Sequence, residues 1–140
     1  MEMAPSGSIL VSLDLNRHAY TEPLERIVAA KAAESRQQHL LLIGDSAEML
    51  PKFRSIGFDL VFIDGNHAYQ SVALDLENTL ALATSNTVVM VNHVFTAMSE
   101  GEGPTRAWLE ALRQQVVEQV GWFSCCSRHG IALGRVPSKT

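Results

Sequence analysis

Polar side chains with chemical potential follow four apolar runs of this chain. The runs and the residues after them are 9–13 before Asp14, 39–43 before Asp45 and Ser46, 60–63 before Asp64, and 87–91 before Asn92 and His93. A carboxylate accepts hydrogen bonds at both of its oxygens, and an imidazole exchanges protons near neutral pH. These residue types are suited to binding a ligand's hydroxyl groups, to transferring protons and to coordinating metal ions.

Alternating strands and helices must position these residues. The run 60–63 lacks polar alternation, which is typical of a parallel strand covered on both faces, and the other three runs end in polar residues in the same way. Apolar residues recur at helical spacing between and after the runs, as in Val72 and Leu76, or Trp108 and Val116. This alternation predicts an α/β fold with a mostly parallel sheet, in which ligands bind at the carboxyl ends of the strands.

The last part of the chain has a different pattern. Two apolar segments, at 122–126 and 131–136, flank a short connection that contains Gly130. This arrangement predicts a hairpin, so the sheet ends with an antiparallel strand. Pro104 precedes the helical spacing at Trp108, and proline is favoured in the first turn of a helix.

Length and composition predict one domain over residues 1–140. The chain is 46% hydrophobic and carries a net charge of −4, which supports a core but gives no reason to expect binding to nucleic acid or to an anionic membrane. No apolar run approaches the roughly 18 residues of a membrane span. The amino-terminal residues lack the pattern of a signal peptide. We therefore expect a cytoplasmic protein whose partner is a small molecule.

The segment 59–69 carries a family resemblance. Its Ile-Asp-Gly-x-His-x-Tyr pattern resembles the end of the fourth strand in class I S-adenosylmethionine-dependent methyltransferases, and within them the small-molecule O-methyltransferase-like group. The likeness runs from about residue 7 to residue 136 and includes the closing hairpin. It implies a Rossmann-like three-layer sandwich, S-adenosylmethionine as cofactor, and methyl transfer to a hydroxyl of a small molecule.

The resemblance assigns cofactor contacts to two strand ends. Asp14 is similar to the acid that accepts hydrogen bonds from both ribose hydroxyls, with a helix cap or an exposed strand-end acid as the alternative. Asp45 and Ser46 are similar to the group that contacts the adenine ring. The alternative is that one of them caps the helix containing Ala47.

Asp64 is the strongest candidate site residue. It resembles the acid near the methyl-donor sulfonium, and Gly65 permits a ligand to approach the backbone closely. The alternative for Asp64 is a turn-initiating side chain. His67 is a candidate general base for a substrate hydroxyl, or else an exposed loop histidine, whereas Tyr69 is expected to pack.

Asn92 and His93 depart from the family pattern. Metal-dependent members usually place Asp and then Asn here, and magnesium prefers the carboxylate. We therefore expect no dependence on magnesium: activity either survives chelation or depends on a transition metal through His93, with Asp64, Asn92 and His93 as weak metal candidates. His93 offers a nitrogen donor suited to a transition metal, and a base or a structural role is equally open for it.

A second departure lies at the start of the chain. The family's first strand and glycine-rich turn, which bind the methionine part of the cofactor, have no counterpart here, so we expect an amino-terminally truncated fold. Either the sequence is part of a longer methyltransferase, or it is a degenerate, non-catalytic binding or assembly module. Loss of a central strand would leave the edges of 9–13 and 60–63 unpaired. Either these two strands then pair directly with each other, or association fills the gap and gives a homodimer through those edges, or aggregates.

Overall fold

The computed structural model describes residues 5–124 and 130–138. Within them the strands are β1 (Ile9–Asp14), β2 (Gln38–Ile43), β3 (Phe58–Ile63), β4 (Ala83–Val91), β5 (Glu118–Ser124) and β6 (Gly130–Arg135). The helices are α1 (Thr21–Glu34), α2 (Ser46–Met49), α3 (Tyr69–Leu82) and α4 (Glu102–Arg113). This alternation confirms the predicted α/β class. None of the described helices is long and apolar enough to cross a membrane.

The chain divides into two compact units, 1–48 and 49–140. In the first unit, β1 and β2 pair in parallel, from Ile9 opposite Gln38 to Asp14 opposite Ile43. Helix α1 connects the two strands and packs against β2. Within the described residues β2 is the only strand paired with β1, so the other edge of β1 is open.

The second unit contains a four-stranded sheet in the order β3-β4-β6-β5. Strands β3 and β4 are parallel, whereas β6 runs antiparallel to both of its neighbours. The predicted carboxyl-terminal hairpin is therefore confirmed as β5 and β6; its connection, 125–129, lies outside the described residues. Among the described strands β3 pairs with β4 alone, and its other edge is open.

The core of the second unit forms around Trp108 on α4. Its side chain is fully buried with Val89 and Val91 of β4 and Leu76 of α3. The indole Nε1 donates to Gln119 Oε1 at 3.2 Å, which satisfies the polar end of a ring that otherwise contacts apolar groups. The helical spacing thus predicts Trp108 on the packed face, but α4 ends at Arg113, before Val116 of the predicted pattern.

One prediction about β3 is wrong, since this strand is not covered on both faces. Val61 and Ile63 pack into the core, whereas the alternate residues Leu60 and Phe62 are 55% and 48% exposed. Side chains alternate between the two faces of a strand. Helix α3 shares the core cluster with the face that carries Val61 and Ile63, and not with the other face. An apolar run shows that both faces are hydrophobic but does not show what covers each.

Candidate functional site

The pairing of β3 with β4 places two predicted site residues side by side. Ile63 lies opposite Val91, so Asp64 and Asn92 leave the sheet at the same edge. The Asn92 backbone N–H continues the ladder by donating to the Ile63 carbonyl oxygen at 3.0 Å. Its side-chain Nδ2 donates to Asp64 Oδ1 at 2.9 Å. Asn92 therefore orients the carboxylate of Asp64.

His93 lies between two carboxylates. Its Nε2 is 3.8 Å from Asp64 Oδ1, and its Nδ1 is 3.6 Å from Glu100 Oε1. These distances exceed those of hydrogen bonds, so both contacts act through charge when the ring is protonated. The side chain is only 13% exposed. Its backbone has a φ of +59°, which turns the chain sharply after β4.

His67 completes a cluster of three side chains. Its ring centroid lies 4.1 Å from that of His93, with the planes tilted by 43°. Asp64, His67 and His93 each present one ligand atom, and these atoms all lie within 4.8 Å of one another. We call these three residues the strand-end cluster. It contains an exposed carboxylate beside two partly buried imidazoles.

The loop that carries His67 is held by its own polar groups. Asn66 Oδ1 accepts the Ala68 backbone N–H at 2.8 Å, and the Ala68 carbonyl accepts the N–H groups of the first turn of α3. The turn-initiating side chain of this loop is therefore Asn66, not Asp64 as the sequence alternative had it. The carboxylate of Asp64 is instead directed toward Asn92 and His93.

Two glycines bring the start of α4 against these loops. A Cβ at Gly103 would collide with the His67 carbonyl oxygen and would lie 2.7 Å from the Tyr69 nitrogen. A Cβ at Gly101 would lie 2.8 Å from the His93 carbonyl oxygen. Contacts this short are not tolerated, so glycine is required at both positions. The close approach places Glu100, which precedes them, next to His93.

Gly65 is not required by the fold in the same way. A Cβ there would meet Asp75 Oδ2 at 3.7 Å, which is an ordinary van der Waals distance. No described protein atom therefore needs the space beside Gly65. A role for this glycine in ligand approach stays a prediction.

In the first unit, Asp14 ends β1 and is partly exposed. Its Oδ1 accepts the Asn16 backbone N–H at 3.2 Å and lies 3.5 Å from His18 Nε2. Helix α1 begins at Thr21, so Asp14 does not cap it. Of the roles considered from the sequence, that of a strand-end acid with a local turn matches the structure. Contact of Asp14 with ribose hydroxyls stays a prediction.

Asp45 adopts the capping arrangement that the sequence left open. Its Oδ1 accepts the Ala47 backbone N–H at 2.9 Å, and its carbonyl accepts the Glu48 N–H at 3.1 Å. Ser46 is the first residue of α2. One carboxylate oxygen of Asp45 is therefore engaged in a local turn, and contact of Asp45 or Ser46 with adenine stays a prediction.

Tyr69 joins α3 to α4 through contacts that the sequence did not reveal. It packs against the core, as predicted, while its hydroxyl donates to Glu110 Oε2 and the Arg106 guanidinium carbon lies 4.0 Å from its ring centroid. The hydrogen bond lowers the pKa of the Glu110 carboxyl and raises the pKa of the Tyr69 hydroxyl. The spacing of Arg106 and Glu110, four residues apart on one helix, is the only sequence signal for this contact.

Arg106 also lines a cavity of about 410 Å³ at the start of α4. The cavity wall consists of Phe95, Thr96, Gly101, Glu102, Thr105, Arg106 and Leu109. Gly101 is the residue that approaches the His93 backbone, so the cavity adjoins the loop that carries His93. The wall combines apolar side chains with one cation and one anion.

Comparison with known proteins identifies the class of this chain. A family model described as a methyltransferase domain matches residues 3–94, which include the ends of β1 to β4. The chain belongs to this methyltransferase family. No curated protein sequence matches it.

Solved structures of methyltransferases share its fold. An O-methyltransferase from Bacillus cereus in complex with SAH is 13% identical, with a TM-score of 0.66 over 93% of this chain and 73% of that one. The O-methyltransferase TomG from Streptomyces achromogenes, in complex with SAM, is 20% identical, with a TM-score of 0.67 over 92% of this chain and 62% of that one. CalS11, a TDP-rhamnose 3'-O-methyltransferase, is 18% identical, with a TM-score of 0.64 over 89% of this chain and 56% of that one. These likenesses support the Rossmann-like fold.

The Tyr69–Glu110 hydrogen bond can be tested by titration. In Tyr69→Phe we expect the pKa of Glu110 to rise toward its ordinary value of 4.5, because the donor that stabilises the carboxylate is lost. Carbon-detected NMR of the Glu110 carboxyl measures this change. Because folding lowers this pKa, the bond stabilises the protein above the unfolded pKa and stops doing so as the pH falls through the folded one. Tyr20→Phe, at an exposed tyrosine of the other unit, is the control and should leave the Glu110 curve unchanged.

Proposed function

We propose that this chain is an S-adenosylmethionine-dependent methyltransferase that methylates a hydroxyl group of a small molecule. The strand-end cluster carries the proposal, because it places a carboxylate and two imidazoles at the carboxyl edge of β3 and β4 in a chain of the methyltransferase family. Two of the similar structures hold SAH or SAM. S-adenosylmethionine supplies the methyl group, bonded to a positively charged sulfur.

The residues of the second unit fit this chemistry. The acceptor oxygen forms a bond to the methyl carbon while the carbon–sulfur bond breaks, and the hydroxyl proton must go to a base. His67 is the proposed base, since its partly buried imidazole lies beside Asp64 and His93. Asp64 provides negative charge for the sulfonium, and the space beside Gly65 allows backbone approach. The rest of the rate enhancement comes from holding donor and acceptor in line.

His93 and Asn92 position the reacting groups. Asn92 fixes the Asp64 carboxylate by its hydrogen bond, and His93 lies between Asp64 and Glu100. A proton that reaches His93 from its neighbour His67 would be stabilised by both carboxylates. The pair of imidazoles can therefore carry the acceptor's proton away from the reacting oxygen.

Cofactor contacts in the first unit are proposed from the family resemblance. Asp14 would accept hydrogen bonds from the ribose hydroxyls, and its position at the end of β1 supports this role. Asp45 and Ser46 would contact adenine; the second carboxylate oxygen of Asp45 is not used by its capping bond. The non-catalytic module is less favoured, because the strand-end cluster retains groups that can accept a proton.

We also propose a cytoplasmic location and a homodimer formed through open strand edges, without nucleic acid or membrane as a partner. The open edges of β1 and β3 carry exposed apolar side chains, among them Ile9, Leu10 and Leu60. Unpaired backbone groups flanked by such side chains pair readily with another chain. The negative net charge supports the absence of a polyanionic partner.

Cofactor binding is the direct test of the function. Isothermal titration of the chain with S-adenosylhomocysteine should give saturable binding that Asp14→Ala weakens by roughly 10- to 100-fold, the equivalent of losing a hydrogen bond to a charged group. Glu25→Ala, at an exposed acid of α1 that pairs with Arg17, is the matched control. Absence of binding would overturn the function, and equal binding by Asp14→Ala would remove only the role of Asp14.

The rate of methyl transfer tests the proposed roles of His67 and Asp64 in the second unit. We expect His67→Gln to lower the rate of S-adenosylhomocysteine formation with small hydroxyl compounds by about 10²- to 10⁴-fold, the usual contribution of a general base. Asp64→Asn, which keeps the shape of the side chain but removes its charge, should also slow the reaction. His39→Gln is the control, since His39 bonds to Ser12 in the first unit. A His67→Gln enzyme with unchanged rate would show that His67 is not the base.

The dimer depends on the open edge of β3. Light scattering after size exclusion should give the mass of two chains for the wild type and of one chain for Leu60→Lys, because a charge on an edge strand opposes pairing. Val120→Lys is the control: Val120 is 58% exposed on β5, the opposite edge strand of the same sheet. A monomeric wild type, or a monomer produced by Val120→Lys alone, would contradict the proposal.

A further inference from the structure

We propose that Asp64, His67 and His93 bind one first-row transition-metal ion of the zinc class. Each offers a ligand atom, and the three atoms lie within 4.8 Å of one another. The residues come from two different strand ends, so the cluster is a product of the fold and not of a local sequence motif. The site shares its residues with the proposed methyl transfer, but its test does not depend on that activity, since metal binding is measured without cofactor or acceptor.

The distances between the three ligand atoms are close to those in the coordination shell of a zinc ion. Zinc bonds of about 2.0–2.1 Å at tetrahedral angles separate the ligand atoms by roughly 3.3 Å. His93 Nε2 and Asp64 Oδ1 are already 3.8 Å apart. Rotation of the exposed Asp64 carboxylate and of His67, which lies on a loop, can close the remaining gap. Three protein ligands leave at least one position open for water or another ligand.

The donor set selects the class of metal. Two imidazole nitrogens and one carboxylate oxygen suit zinc, cobalt, nickel or iron, whereas magnesium and calcium prefer oxygen ligands throughout. Asn92 does not restore an oxygen-rich site, because its side-chain Nδ2 faces Asp64 as a donor. A transition metal is therefore favoured over magnesium.

Two neighbouring residues occupy the positions that support metal ligands in proteins. Ligating histidines commonly direct their second nitrogen toward a carboxylate, which fixes the ring and raises its basicity. His93 has this arrangement, with Nε2 toward Asp64 and Nδ1 3.6 Å from Glu100 Oε1. Asn92 likewise holds the Asp64 carboxylate by donating to Oδ1, the oxygen that lies 3.8 Å from His93 Nε2. Glu100 and Asn92 are thus positioning residues for the site.

A bound metal and the role of His67 as base exclude each other when both require the same ring nitrogen. The lone pair that accepts a proton is the one that coordinates. The metal-loaded chain should therefore lose any reaction step that needs a free His67, while the metal-free chain retains it.

Titration of the metal-free chain with Co²⁺, followed by its visible absorption, tests the proposal. We expect saturation at one equivalent, displacement by Zn²⁺, and no displacement by a large excess of Mg²⁺. Thiolate ligands give cobalt an additional charge-transfer band in the near ultraviolet. The band should be absent, and a Cys125→Ser/Cys126→Ser chain should bind as the wild type does.

Single variants assign the ligands. His67→Gln and His93→Asn should each weaken Co²⁺ binding by more than 100-fold; asparagine is chosen at 93 because it tolerates a positive φ. Glu100→Gln should weaken binding by about 10- to 100-fold, as outer partners of metal ligands do. His18→Asn is the matched control, because His18 also lies beside an aspartate, Asp14, at 3.5 Å.

Circular dichroism of each variant separates lost ligands from lost structure. If His93→Asn does not fold, the Co²⁺ affinity of His67→Gln decides whether the site exists, since residue 67 lies on a loop, where a substitution disturbs folding less. The proposal is overturned if Co²⁺ does not bind, if binding is unchanged in His67→Gln, or if Mg²⁺ displaces Co²⁺. It is also overturned if the cysteine double variant abolishes binding.

Discussion

The parallel register of β3 and β4 is the constraint on which the candidate site depends. With Ile63 opposite Val91, both strands end at one edge, and the next residues, Asp64 and Asn92, become neighbours joined by a hydrogen bond. A slip of one residue would turn each side chain to the other face of the sheet. The packing of β4 around Trp108 stabilises this register, because Val89 and Val91 are buried with the indole. The core thus determines the geometry of the cluster.

A single electrostatic property links the proposed activities of the second unit. Asp64 and Glu100 place two carboxylates beside the imidazole of His93, which in turn lies against that of His67. Such a group of side chains attracts positive charge, whether as a proton on His93, as a sulfonium or as a metal ion. Asn92 is neutral and directs a donor at Asp64, so it limits the negative charge instead of adding to it. Which cation occupies the site then depends on geometry.

Periodicity in the sequence predicted the positions of strands and helices well, but it did not predict which residues surround their side chains. Apolar runs located the strands, and strand ends located Asp64 and His93, because the position of a strand end is a local property. The exposed side of β3 could not be predicted, since an apolar run does not reveal whether Leu60 has a neighbour. The Tyr69–Glu110 bond was missed for the same reason, since it depends on the packing of α4 against α3. The contact of Glu100 with His93 was missed because it depends on the path of the chain between β4 and α4.

The departure of this chain from its family is a change of donor atoms at one strand end. Metal-dependent members place an acid where this chain has Asn92, and here the amide donates to Asp64 and so acts as a hydrogen-bond donor, not as an oxygen ligand. The oxygen that magnesium would use is thereby replaced, while His93 and His67 bring nitrogen to the same edge. Loss of a carboxylate at Asn92 and gain of one imidazole at His93 act together, because they weaken binding of hard cations and favour softer ones. Asn92 and His93 are therefore best understood as one change in the type of cation that the strand-end cluster can bind.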